Sequence, residues 1–192
     1  MASLAGQLLI AMPGMTDKRF ARSVIYMCAH SNDGAMGIIL NQHARNLTLL
    51  DLLQQLSVVP ERSGAELPGA LKDTSVHVGG PVSSGRGFVL HSGDYFVEDE
   101  SLRIDDQVSL TATVDILRSL VAGSGPRRFL LALGYSGWAG GQLEAEIQSN
   151  GWLHCDADAD LVFDPNIDDK YSRAMSKIGV DVSFLSAAAG RA

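Results

Sequence analysis

The segment Gly134-Tyr135-Ser136-Gly137-Trp138 places a serine after an apolar run and ahead of a helical pattern. That is the setting of a nucleophile elbow, where a strained strand-to-helix turn lifts a hydroxyl toward substrate. The spacing departs from it, because the second glycine comes one place early and Trp138 takes its position. A triad would need His154 as base with Glu144 or Glu146 as acid. Both acids follow Ser136 on the next helix, a poor place from which to orient a distant imidazole. A turn of small, closely packed residues explains the segment better.

Four other groupings carry possible chemistry. Cys28-Ala29-His30 and His154-Cys155 offer sulfurs and imidazoles of the kind that hold zinc. On strands, Cys28 and His30 share a face while His154 and Cys155 point opposite ways. No metal is therefore expected, and Cys28 with His30 remains a candidate thiol site, which would require a depressed thiol pKa. Gly80 to Gly87 imitates a phosphate loop, but Arg86-Gly87 stands where Lys-Ser/Thr belongs. Phe88-Val89-Leu90 then favours a strand, so a glycine turn joining strands is expected there. Asp156, Asp158 and Asp160 alternate like a calcium loop, yet Leu161 and Ile167 replace its glycine and glutamate. A short acidic helix start fits better. Gln142 and Glu146 lie four apart on one helical face, with Glu144 angled away. With Tyr135 and Trp138 just ahead, they outline a small cleft at a strand end.

These side chains need elements to hold them. Ser23 to Ala29 and Met36 to Leu40 read as strands of a hairpin turning at Ser31-Asn32-Asp33-Gly34. Thr48 and Asp51 suit a capping box for a helix that Pro60 ends, followed by a loop from Glu61 to Lys72. Short strands are expected at Val76 to Val78, Phe88 to His91, Ser101 to Ile104 and Val108 to Leu110. Thr113 begins a helix closed by Gly123. Phe129 to Leu133 is apolar on both faces and so a central strand. A turn, Gly134 to Gly140, leads to a helix with Leu143 and Ile147 inward, and Trp152 to Cys155 is a last strand. Asn166 suits the cap of a final helix ending at Gly179. The mixture predicts an α+β fold built on a mixed sheet.

The chain has 192 residues, with 15 Lys and Arg against 22 Asp and Glu, a formal charge of −7. Hydrophobic residues make up 46%, which excludes intrinsic disorder. The acidic balance disfavours direct nucleic-acid binding, because carboxylates repel phosphate. Arg22, Arg86, Arg103, Arg127 and Arg128 are scattered rather than clustered. Leu8 to Met12 is apolar but stops at Pro13 without a basic stretch before it, so no secretory leader is expected. No run approaches the ~20 apolar residues that span a bilayer. Two cysteines make no disulfide framework, and a cytoplasmic location is expected.

Taken together, several segments resemble the YqgE/AlgH family of bacterial proteins. They are Gly6 to Pro13, Phe20 to Ile25, Cys28-Ala29-His30 and Gly34 to Asn41. Gly79-Gly80-Pro81-Val82, Arg86 to His91, Gly134-Tyr135 with Trp138, and Gly141 to Glu144 complete them. The resemblance implies a single domain over residues 1–192, with its core over about 6–182 and a short tail after it, built as a curled, mixed and largely antiparallel sheet flanked by helices, in a bacterial cytoplasmic protein. It implies no particular reaction. One branch takes its name from a role suggested for it in regulating alginate synthesis. Family members often carry alanine where Ser136 stands, and His154 and Cys155 fall outside the pattern. Arg86, His91, Tyr135, Trp138, Gln142 and Glu144 match motif positions and are the candidate ligand-binding residues. The leading expectation is a non-catalytic regulatory or binding module with a small-molecule or protein partner and no cofactor. The alternative is a hydrolase or transferase using the Tyr135–Glu146 region.

Overall fold

A continuous apolar run makes a strand covered on both faces, and the strand segments 8–11, 24–28 and 108–111 are buried throughout. The computed structural model describes residues 2–61 and 66–181. The chain runs through β1 (Gln7–Ala11), β2 (Val24–Ser31), β3 (Gly34–Ile39) and β4 (His43–Thr48) into α1 (Leu49–Gln55) and α2 (Gly69–Lys72). Next come β5 (Ser75–Val78), β6 (Val82–Ser92), β7 (Ser101–Arg103), β8 (Val108–Thr111) and α3 (Val114–Ala122). β9 (Phe129–Ala139), α4 (Gln142–Gln148), β10 (Trp152–Asp156), α5 (Ala159–Phe163) and α6 (Lys170–Lys177) complete it. The tail expected after residue 182 lies outside the described residues, as do residues 62–65 of the expected loop.

The strands form one sheet in the order β10-β1-β2-β3-β9-β6-β8-β7, with β5 parallel to β9 and β4 beside β5. All other pairings are antiparallel. The sheet curls into a half-barrel. Its inner face gathers Leu8, Tyr26, Ile38, Phe88, Leu90, Leu110, Leu130 and Ala132 under α5 and α6. The Tyr26 hydroxyl donates to Asp105 Oδ2 at 2.6 Å, tying β2 to the β7–β8 turn across the curl. The outer face carries two clusters. Val89 and Leu131 meet α1, α2 and α3, while Leu9, Ile25, Ile39 and Trp138 meet α4. This is the α+β single domain that the sequence predicts.

β9 is where the reading of a turn from Gly134 to Gly140 gives way. The strand continues unbroken to Ala139, with Gly34 to Gly37 of β3 paired to its second half. Gly134 adopts φ +71°, and it inverts the alternation: Leu130 and Ala132 face inward before it, Tyr135 after it, with Trp138 outward. The chain leaving β5 crosses this point at backbone contact. A Cβ on Gly80 would lie 2.2 Å from the Tyr135 carbonyl carbon, and one on Gly134 would lie 2.4 Å from the Gly80 oxygen. Gly80 and Gly134 thus serve a crossing of two segments of the chain and not a turn.

Of the expected turn at Gly80 to Gly87, Val82 onward is likewise strand. Val82 pairs with Tyr135 and Gly87 with Leu133, so β6 carries extra residues against β9 and bulges between them. Several ends follow the sequence. Thr48 and Asp51 form the reciprocal capping box, at 3.0 and 3.1 Å. Asp158 caps α5 by accepting from the Leu161 N–H at 2.7 Å, and Gly123 and Gly179 are left-handed beyond α3 and α6. Others differ. α1 stops at Gln55, short of Pro60, with Ser57 left-handed. α2, β1 and β4 are additional. α6 begins at Lys170, not after Asn166, because Asn166 and Asp164 spend their side chains on local turns.

Candidate binding groove

α5 and α6 cover only one end of the inner face. At the other end the described residues leave a groove of about 750 Å³, and no residue of α5 or α6 lines it. Its floor is Phe88, Leu110 and Tyr135; its walls are Ala29, Ala35 and Met36 on the hairpin side and Leu102 on β7. The size suits a small ligand, and barrel mouths are common binding sites. Phe88 and Tyr135 meet edge-to-face, centroids 5.6 Å apart at 73°.

The bulge in β6 sets Arg86 over this floor. Bulges re-aim side chains, and here the guanidinium lies 5.2 Å from the centre of the Phe88 ring. Among the described residues no carboxylate pairs with it. Arg19, Arg118, Arg127, Arg128 and Arg173 by contrast each hold an aspartate. The other charges lining the groove are Asp33 on the hairpin turn and Glu100, which accepts from the Thr113 hydroxyl at 2.8 Å.

The sequence candidates divide between places. Arg86, Tyr135 and Trp138 line the groove. Gln142 lines a second cleft of about 360 Å³ with Glu146, Phe20 and Trp152, and Val82, Gly137 and Trp138 border both. Glu144 instead accepts from His30 Nε2 at 2.9 Å. Its own backbone N–H, then that imidazole, hold its carboxyl below the usual range. His91 is away from the groove and fully buried; Nδ1 donates to the Ser92 carbonyl and Nε2 accepts from Thr111. Burial lowers its pKa, so it serves as a neutral link in the packing.

Cys28 and His30 do not form a reactive pair. Cys28 is 3% exposed and desolvation pushes its thiol upward, opposite to what reactivity needs. His30 Nδ1 accepts from the Leu4 N–H at 3.0 Å, so neither ring nitrogen is free to act as a base. Ser136 lies in mid-strand, fully buried, and donates to the Gly79 carbonyl at 3.2 Å. No elbow presents it. His154 pairs with Gln7 at 2.9 Å, far in role from any triad. Among the described residues no three His, Cys, Asp or Glu side chains gather as a metal would need.

A family model described as AlgH-like matches residues 8–183. The chain belongs to the AlgH-like family. Among its relatives, a UPF0301 protein of Rhodopseudomonas palustris strain HaA2 is 60% identical over 189 residues, 98% of this chain and 87% of that one. One from Beijerinckia indica is 56% identical, covering all of this chain and 93% of its own. The solution structure of the AlgH protein from Pseudomonas aeruginosa superposes with a TM-score of 0.78 at 38% identity, covering 100% of this chain and 97% of that one. A crystal structure from Corynebacterium diphtheriae shares the fold at TM-score 0.71 and 20% identity, over 90% and 85% of the two chains.

Two features of this AlgH-like chain escaped sequence reasoning. Glu146 accepts from both indoles, Trp138 and Trp152, at 3.0 and 2.8 Å, and from Gln142 at 2.9 Å. Only the Gln142 contact was visible as helical spacing. The second is a buried basic cluster. His77 is 7% exposed, neither ring nitrogen has a hydrogen-bond partner among the described residues, and it meets the His43 ring edge-on at 4.7 Å. Lys170 is fully buried and donates to the Val162 carbonyl at 2.9 Å. Burial, then His43 and Lys170, lower His77 to about 3, and burial lowers Lys170 to about 8. Lone histidines and lysines on polar-looking segments carry no signal of that burial.

Proposed function

We propose that this AlgH-like chain is a non-catalytic binding module, regulatory in role, whose ligand or partner group enters the open mouth of the half-barrel. The observation that carries the reading is the groove itself: apolar and aromatic walls, with one unpaired guanidinium, at the end of the inner face that the helices leave uncovered. Arg86, Tyr135 and Trp138 are its proposed contact residues, joined by Phe88 and Met36. The reactive groups considered from sequence are spent on packing, which supports binding over turnover. Acidic charge supports a ligand or protein partner over direct contact with DNA. Two unpaired cysteines support a reducing, cytoplasmic setting.

Methyl NMR with a fragment library tests the site. Shifts should concentrate on Met36, Leu102 and Leu110. Leu102 is 49% exposed, so Leu102→Arg should keep the fold while obstructing the groove and suppressing those shifts. Hits that perturb only other faces would overturn the reading.

A further inference from the structure

The charges and rings of the groove also specify a ligand class. Resting on the binding reading above, we propose that the groove selects a planar aromatic ligand bearing one carboxylate, with the carboxylate on Arg86 and the ring against Tyr135.

Arg86 supplies the first half of the argument. An exposed arginine without a carboxylate partner retains its N–H donors for an incoming anion, and the guanidinium fork matches a carboxylate two bonds at a time. Its position over Phe88 fixes the plane without consuming those donors. The bulge between Val82 and Gly87 is what delivers it there, since a regular strand would keep this segment in register with β9.

The surfaces supply the second half. Phe88 is buried beneath Arg86 and meets Tyr135 at 73°, so the half-buried Tyr135 ring is the one on which a flat ligand can stack. Met36, Leu102 and Leu110 extend the apolar surface beyond them. A purely aliphatic acid would fill the volume without using that geometry.

Asp33 and Glu100 set the charge limit. Both line the same groove as Arg86. A single negative charge beside Arg86 is compensated, whereas a second would face two carboxylates with no further cation lining the groove. The site therefore favours a monoanion over a dianion such as a phosphate monoester.

Three naphthalene probes separate the possibilities: 2-naphthoate, its neutral amide, and 2-naphthyl phosphate. Titrations followed by methyl NMR should place naphthoate on Met36 and Leu110, bound about tenfold tighter than the amide or the phosphate. Arg86→Gln, on an exposed bulge, should bring naphthoate down to the amide's affinity. Equal binding of acid and amide at these methyls would overturn the carboxylate class while the groove reading stands. Tighter binding of the phosphate would overturn the charge limit, and with it the class. If no naphthalene probe reaches the groove, the inference falls. The fragment library then decides independently whether the groove binds anything.

Discussion

Glu146 joins three segments through one carboxylate: Trp138 from β9, Trp152 from β10 and Gln142 from α4. Replacing it with glutamine turns an amide N–H toward groups that already donate. Glu146→Gln should cost about 2 kcal/mol, read from urea unfolding followed by circular dichroism. His77 gives a residue-scale prediction with pH. Its folded pKa of about 3 lies below the ordinary 6.5, so the unfolded chain binds the extra proton between those values. Stability should decline as pH falls from about 6.5 toward 3, and His77→Leu should flatten that decline. Lys170 works at the other end. Its folded value, about 8, lies below 10.5, so its burial penalty is relieved as pH rises from about 8 to 10.5, a rise Lys170→Met should abolish. Helical spacing made the Gln142–Glu146 pair legible. The indoles, and the burial of His77 and Lys170, depend on which strands and helices become neighbours, and local spacing does not encode that.

The strand β9 carries the lesson at the scale of elements. Its first half was readable, because a run apolar on both faces needs cover on both sides. Its second half has glycines and mixed polarity, the composition of a turn, and that composition misled. Those glycines answer contacts distant in sequence, the crossing at Gly80 and Gly134. Gly80→Ala should destabilise the protein by about 3 kcal/mol or more in chemical unfolding, since backbone faces the added methyl and no flexible side chain can yield. Thr48→Ala, which removes one half of a capping box, should cost only about 1 kcal/mol. The hairpin, the capping box and the ends of α3 and α6 were legible because each is written in adjacent residues. β1 and β4 were not: the first is short and apolar, and the second is largely polar and pairs only with β5. Arg86 belongs to the same class of difficulty. From sequence it was a misfit in a phosphate loop, and the bulge that gives it a place is a property of register.

At the scale of the molecule, one curled sheet separates an inner face, half covered by helices and half open, from an outer face covered at two places. The tie between Tyr26 and Asp105 spans the curl. Tyr26→Phe should lower stability by about 2 kcal/mol, and faster amide exchange in β7 and β8 than in β1 would mark the loosened side. The resemblance implied the curled sheet, while the open mouth depends on where α5 and α6 stop, which no local pattern encodes. Trp138 borders both the groove and the outer cleft, with its ring against Phe20 and Trp152 on the outer side. The chain has just two tryptophans, and these are the two. Intrinsic emission therefore comes from a single place, the far side of the groove floor. A ligand that shifts β9 by a fraction of an ångström carries its own optical reporter, and no dye or label has to be attached to see it arrive.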